Sequence, residues 1–171
     1  MTDCPGPSGA ALIDALHGAG VRFVAALPDI VTSDGLLWPL SRDDRFRLVR
    51  LCKEDEGVAI CAGLAFTGNR AALLMQQTGL MDSLNAIRAV AVEYKQPICM
   101  IVGMQGKEPD KTVTESERYG VRIVPEILKT MEIDMIMIEG PGDEAALGPA
   151  IERAYELERP VIALIGRTVA P

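Results

Sequence analysis

The chain predicts an open, doubly wound α/β fold: a mostly parallel sheet of about six strands with helices on both faces. Short runs rich in Val, Ile and Leu recur at 21–26, 46–51, 71–75, 97–103, 133–138 and 161–165. They are continuously apolar rather than alternating, the pattern of strands buried on both faces. Longer segments with helical spacing separate them, so the chain reads strand, helix, strand throughout. At 171 residues, 49% of them hydrophobic, there is enough apolar surface for one core, and residues 1–171 read as a single domain.

Each element has its own signal. Ser8 caps a first helix with Ala11, Leu12, Ala15 and Leu16 on one face, closed by Gly18 or Gly20. After the first strand, Ser33 is placed to cap a short helix containing Leu36, Leu37 and Trp38. Helices are expected at 54–66, ending at Thr67 and Gly68, and at 80–94, with Leu84, Ile87 and Ala91 in step. Two more are expected at 124–131 and 143–157. The polar stretch from Met104 to Gly120 has no clear period and reads as a substrate loop or a solvated connection.

Composition narrows the chemistry. Seventeen basic residues against 24 acidic ones give a net charge of −7, which disfavours a broad nucleic-acid surface. No apolar run reaches the ~18 residues of a spanning helix, and the first residues lack the basic-then-apolar pattern of a secretory signal. A cytoplasmic domain with no membrane association is expected. The four cysteines, at 4, 52, 61 and 99, form no close pair, and His17 is the one histidine. That excludes a clustered Cys/His zinc site, so no metal ligands are assigned. Cys52, Cys61 and Cys99 lie in apolar runs, where cysteine packs as a small hydrophobe. His17, far from every strand end, reads as a surface or packing residue.

In a parallel sheet, ligands bind at the carboxyl ends of the strands. Asp29 follows the first strand, and Glu54, Asp55 and Glu56 open the helix after the second. Acids there complement the helix dipole, worth ~0.3–1 kcal/mol each, or one of them turns inward for proton work. Spacing alone leaves the choice among the three open. After the third strand, Gln77, Thr78, Gly79 and Asn85 offer amides, a hydroxyl and a close backbone approach. Neither a Walker-type loop nor GxGxxG is present.

In order and spacing these pieces resemble the pyrimidine-binding domain of thiamine diphosphate enzymes. The alpha subunit of sulfopyruvate decarboxylase and the matching half of phosphonopyruvate decarboxylase are the most similar branches. The resemblance runs from about Ala10 to Arg167 and is carried by Leu27-Pro28-Asp29, the run from Cys52 to Gly68, Gln77-Thr78-Gly79 through Ile87, and Val102-Gly103. It implies a thiamine diphosphate-binding fold and selects Glu54, nine residues before Gly63, among the three acids. In that family the glutamate hydrogen-bonds a ring nitrogen of the aminopyrimidine. This favours the imino tautomer that deprotonates the thiazolium carbon, and the cofactor then stabilises the carbanion left when a 2-oxo acid loses carbon dioxide. Gln77, Thr78, Gly79 and Asn85 would line the aminopyrimidine, and Asp29 would lie near the reacting carbon.

The chain departs from that pattern at Ile30, where the family usually has serine, and in lacking the histidine that the phosphonopyruvate branch carries before the fifth strand. Lys107, Arg118 and Arg122 stand as candidates for an anionic substrate group. The family's Gly-Asp-Gly motif and downstream asparagine, which hold Mg2+ and the diphosphate, are missing. The resemblance therefore implies a separate diphosphate-binding beta subunit that holds the metal, with thiamine diphosphate shared between chains. It implies a decarboxylase subunit, acting on sulfopyruvate or a similar 3-substituted pyruvate, that is active only with its partner. The alternatives are a non-catalytic or regulatory partner of the same fold, a phosphonopyruvate decarboxylase-like activity, and a nucleotide-binding module of unrelated doubly wound type.

Overall fold

The computed structural model describes residues 5–171. Six strands form one all-parallel sheet: β1 (Val21–Ala26), β2 (Arg47–Arg50), β3 (Arg70–Gln76), β4 (Cys99–Gly103), β5 (Asp134–Ile138) and β6 (Val161–Ile165), in the order β2-β1-β3-β4-β6-β5. Every expected strand is present, and two match their expected bounds residue for residue.

Alternate residues of each central strand feed two cores. Val24, Ala72, Leu74, Ile101 and Ala163 face one side, under α1 (Gly9–Gly18) and the later helix α8 (Leu147–Leu157). Ala25, Leu73, Met75, Met100 and Leu164 face the other. That side is covered by α3 (Glu54–Phe66), α4 (Gln77–Asp82) and α7 (Val124–Thr130). Burial on both faces is what made these strands read as continuous apolar runs. It fails at the sheet edges: in β2 the end residues Arg47 and Arg50 are exposed, and in β5 Met135 and Met137 are each 38% exposed. An edge strand has a neighbour on one side only, so hydrophobicity there does not guarantee cover.

The helices follow their capping signals. The Ser8 hydroxyl accepts from the Ala11 N–H at 3.3 Å, and α1 ends before Gly20, whose φ of +80° no β-carbon opposes. In α8, Leu147, Ile151 and Ala154 are buried one turn apart, the spacing of a single apolar face. Three expectations need correction. The helix expected at 80–94 begins at Gln77 and is broken into α4, a short α5 (Leu84–Ala86) and a π-helical turn (Ile87–Glu93). The segment 143–157 opens with a 3₁₀ turn (Asp143–Ala146) before α8. Ser33 is not a cap: it lies inside a π-helical turn (Ser33–Leu37) that precedes α2 (Trp38–Leu40).

The topology leaves a crevice. From β1 the chain turns toward the α1 face on its way to β2, while from β3 it enters α4 on the opposite face. Neighbouring strands whose exits diverge in this way mark the ligand-binding edge of a doubly wound sheet.

Leu74 is fully buried in a central strand, whereas Met137 lies on the edge. Leu74→Ala is expected to cost about 2–5 kcal/mol and Met137→Ala less than about 1 kcal/mol, read from urea unfolding midpoints. Equal losses would contradict this division of the sheet.

Candidate active site

The three acids opening α3 have three different uses. Glu56 folds back, its carboxylate accepting from the backbone N–H groups of Cys52 at 3.1 Å and Lys53 at 3.2 Å, which satisfies the helix N-terminus. Asp55 pairs with Lys53 at 3.5 Å, and the same ammonium reaches Asp82 at the end of α4 at 3.1 Å. That bond to Asp82, joined by the charge of Asp55, raises the Lys53 pKa. Glu54 is left. It is half-buried, and its carboxylate makes no hydrogen bond or ion pair among the described residues.

Glu54 rests on Gly79. A β-carbon at residue 79 would collide with Cγ, Cδ and Oε1 of Glu54, so the carboxylate occupies the space a side chain would need. Two features set this contact. Gly57 lets α3 lie close on β3, since a β-carbon there would stand 2.7 Å from Leu51 Cδ1 and collide with Leu73. Because α4 starts at Gln77, Gly79 falls in its first turn rather than in a loop ahead of it.

Asp29, 6% exposed, lies over the end of β4, where a β-carbon on Gly103 would stand 2.5 Å from its Oδ1. Its carboxylate is fully engaged: it accepts from the N–H groups of Val31 at 2.7 Å and Thr32 at 3.1 Å, and from the Thr32 hydroxyl. The Asp29 N–H donates to the Ser33 hydroxyl at 3.0 Å. Within the chain, Asp29 therefore folds its own loop.

Gln77 is likewise buried and committed. Its amide donates to the Gln105 carbonyl at 2.9 Å and accepts from the Gln105 N–H at 3.0 Å, tying the exit of β4 to the start of α4. Thr78 is exposed and accepts from the Gln76 amide at 2.9 Å. Asn85 is exposed two turns along, where its carbonyl accepts two bonds from Arg88, at 3.2 and 3.0 Å. The structure thus joins Glu54, Gly79 and Gln77 directly, sets Asp29 on the adjoining strand end, and leaves Asn85 on the exposed flank.

The polar stretch after β4 is ordered by its own side chains. Ser116, fully buried, donates to Glu108 at 2.7 Å, and the Glu117 N–H donates to the same carboxylate at 3.2 Å. The Ser116 bond holds the Glu108 carboxyl below its ordinary value. A 3₁₀ turn (Val113–Glu115) and α6 (Tyr119–Arg122) complete the segment. Lys107 is buried against Glu139 at 3.3 Å, and Glu139 in turn lies over Gly166, 2.5 Å from where a β-carbon would stand. Sequence reasoning missed Gln105 and the Glu139–Gly166 contact. A glycine at or just beyond a strand end, as at 103 and 166, was the available signal.

The remaining candidates lie elsewhere. His17 packs edge-on against Phe46 with ring centres 6.1 Å apart. Burial pushes the thiols of Cys61 and Cys99 up to about 12, as expected of packing cysteines. Cys52 is exposed, because it follows β2 in the turn rather than lying within the strand; Cys4 falls outside the described residues. Among the described residues, no cluster of three or more His, Cys, Asp or Glu could hold a metal ion, and no helix is long and apolar enough to cross a membrane.

The sheet order and the crevice define an open, all-parallel α/β fold with helices on both faces. A split-gene transketolase described as an inactive beta4 tetramer aligns with 95% of this chain and 50% of its own, at a TM-score of 0.61 and 17% identity, a likeness of fold. No protein-family model matches the chain. The sulfopyruvate decarboxylase alpha subunit of Methanococcus maripaludis is 31% identical over 157 residues, 91% of this chain and 92% of that one. A sulfopyruvate decarboxylase of Methanosarcina acetivorans is 28% identical over 92% of this chain, which corresponds to 40% of that longer protein. The chain belongs to the sulfopyruvate decarboxylase alpha-subunit family.

Gly79→Ala tests the central contact. Alanine suits a helix, by about 0.5–1 kcal/mol over glycine, so the variant is expected to fold with Tm within about 4 °C of the parent. Its crystal structure is expected to show the Glu54 carboxylate displaced; a Glu54 in its parent position would contradict the packing described.

Proposed function

We propose that the chain is the cofactor-activating subunit of a thiamine diphosphate-dependent sulfopyruvate decarboxylase, a single pyrimidine-binding domain acting in the cytoplasm with a separate beta subunit. The observation that carries this reading is Glu54: a half-buried carboxylate at the carboxyl edge of a parallel sheet, seated on glycine, with no bond among the described residues. A buried-facing carboxylate without a partner is costly unless a ligand supplies one. A protonated or proton-sharing ring nitrogen is such a partner, so the residues present fit the aminopyrimidine.

When bound, thiamine diphosphate supplies the electron sink that 2-oxo acid decarboxylation needs. The chain's part is to hold and direct it. Glu54 shares a proton with the ring nitrogen through its free carboxylate oxygens. Gly79 lets the carboxylate and the ring approach without a side chain between them. Gln77, by fixing Gln105, sets the far wall of the crevice, and Thr78 and Asn85 flank the opening. Asp29, its carboxylate held by Val31 and Thr32, shapes the loop over β4 that would lie near the reacting carbon.

The diphosphate and Mg2+ fall to the partner. Two observations support the division: this chain spans nearly the whole of a protein named as an alpha subunit, and only 40% of a single-chain relative named for the entire enzyme.

Glu54→Gln keeps size and removes the shared proton. In the assembled complex it is expected to lower kcat by about 10²–10⁴-fold, the range of a lost acid–base group, with the Tm of the isolated chain unchanged. Parent-like turnover of sulfopyruvate by this variant would remove Glu54 from the proposed role.

A further inference from the structure

Among the cations that follow β4, the side chains of Lys129 at the end of α7 and Arg159 after α8 are exposed and unpartnered among the described residues. They lie just ahead of β5 and β6, at the amino-terminal edge of the sheet. Those nearer the carboxyl edge mostly have a use within the chain. The Lys107 ammonium is 1% exposed, held by Glu139 and by the Glu108 carbonyl at 3.1 Å. Lys111 pairs with Glu117. Arg122 donates to the Ser116 carbonyl at 2.7 Å and lies over the Tyr119 ring. Arg167 donates to the Pro109 carbonyl at 2.8 Å.

Arg118 is different. It is exposed, and its guanidinium makes no hydrogen bond or ion pair among the described residues. Its stem crosses the turn at Gly106, whose φ is +85°, with Cγ 3.7 Å and Nε 3.9 Å from where a β-carbon would stand. The arginine stem thus lies at van der Waals distance over this turn. The preceding residue, Gln105, is the one bonded on both its backbone groups to Gln77, two positions before Gly79 and its Glu54 contact. Helix α6, which begins just after Arg118, packs on α4. Glu54 contacts α4 through Gly79, and the helix that Arg118 precedes packs on the same α4.

We propose that Arg118 receives the anionic 3-substituent of the 2-oxo acid and so sets the chain's preference for a sulfonate; this rests on the function proposed above. A guanidinium stays charged at all working pH values and meets a tetrahedral oxyanion with paired N–H donors. A chain with a net charge of −7 repels a doubly anionic substrate, so an uncommitted cation at the rim is needed to attract it. Arg50 is the comparison. It also is exposed and unbonded among the described residues, but it ends the edge strand β2, on the far side of β1 from α4.

The test uses the chain assembled with its partner subunit, as Arg118→Ala, Arg118→Lys and Arg50→Ala. Steady-state kinetics with sulfopyruvate are paired with calorimetric binding of 2-hydroxy-3-sulfopropanoate, which cannot be decarboxylated. Arg118→Ala is expected to raise both KM and the analogue's Kd by about 10–100-fold, the loss of a charge-assisted contact, with kcat little changed. Arg118→Lys recovers part of that loss, because a point charge replaces a fork, and Arg50→Ala matches the parent. Parent-like KM and Kd in Arg118→Ala, or the loss appearing in Arg50→Ala instead, overturns the assignment. A parent complex that fails to decarboxylate sulfopyruvate contradicts the functional reading, and the assignment of Arg118 is then decided by the calorimetric comparison alone.

Discussion

Carboxylates lying on glycine α-carbons organise the functional edge of this sheet. Glu54 lies on Gly79, Asp29 on Gly103 and Glu139 on Gly166, each in the space where any other residue would have its β-carbon. The contacts sit at or just beyond the carboxyl ends of β3, β4 and β6, three neighbouring interior strands. A glycine at such a point removes the one group that would keep an acid away from the backbone, and so allows charged side chains to fold inward over an apolar sheet. What distinguishes the three contacts is the company each carboxylate keeps. Asp29 is saturated by its own loop, and Glu139 has Lys107. Glu54 alone of the three has no bonding partner among the described residues.

The surrounding polar bonds keep that one group unpartnered. Lys53 is near enough to have neutralised an acid of this turn, and it does so with Asp55 and Asp82. Glu56 takes the backbone donors of the helix start. Pairs this exposed add little stability, and their consequence is geometric: α3 is tied to α4, and the neighbours that could have bonded Glu54 are occupied. The same logic applies across the crevice, where Gln77 and Gln105 satisfy each other and Arg118 is left over.

The architecture was legible because it rests on hydrophobic periodicity. Runs such as 71–75 and 161–165 are apolar throughout only because helices cover both faces, and that pattern survives in sequence. The break of the helix expected at 80–94, and its earlier start at Gln77, were not legible. They depend on backbone bonds closing at Ser83 and on π-type turns that no side-chain period encodes. At the site, residue types were readable and their commitments were not. Three adjacent acids are equivalent in sequence, and resemblance alone singled out Glu54. That Gln77 is bonded to Gln105 follows from loops meeting after different strands, which spacing cannot reveal, whereas Asp29 is held by Val31, Thr32 and Ser33 of its own turn.

The Glu54 carboxylate, unpartnered among the described residues, is the group the proposed cofactor contact would engage. Of the chain's relatives, one is a subunit of equal length and one a longer single protein. The most direct measurement is sulfopyruvate decarboxylation with thiamine diphosphate and Mg2+ present, by the purified chain alone and by the chain mixed with equimolar partner subunit. Carbon dioxide released only by the mixture, rising to a plateau at a fixed ratio of chains, is the predicted result. Full turnover by this chain alone would contradict the account.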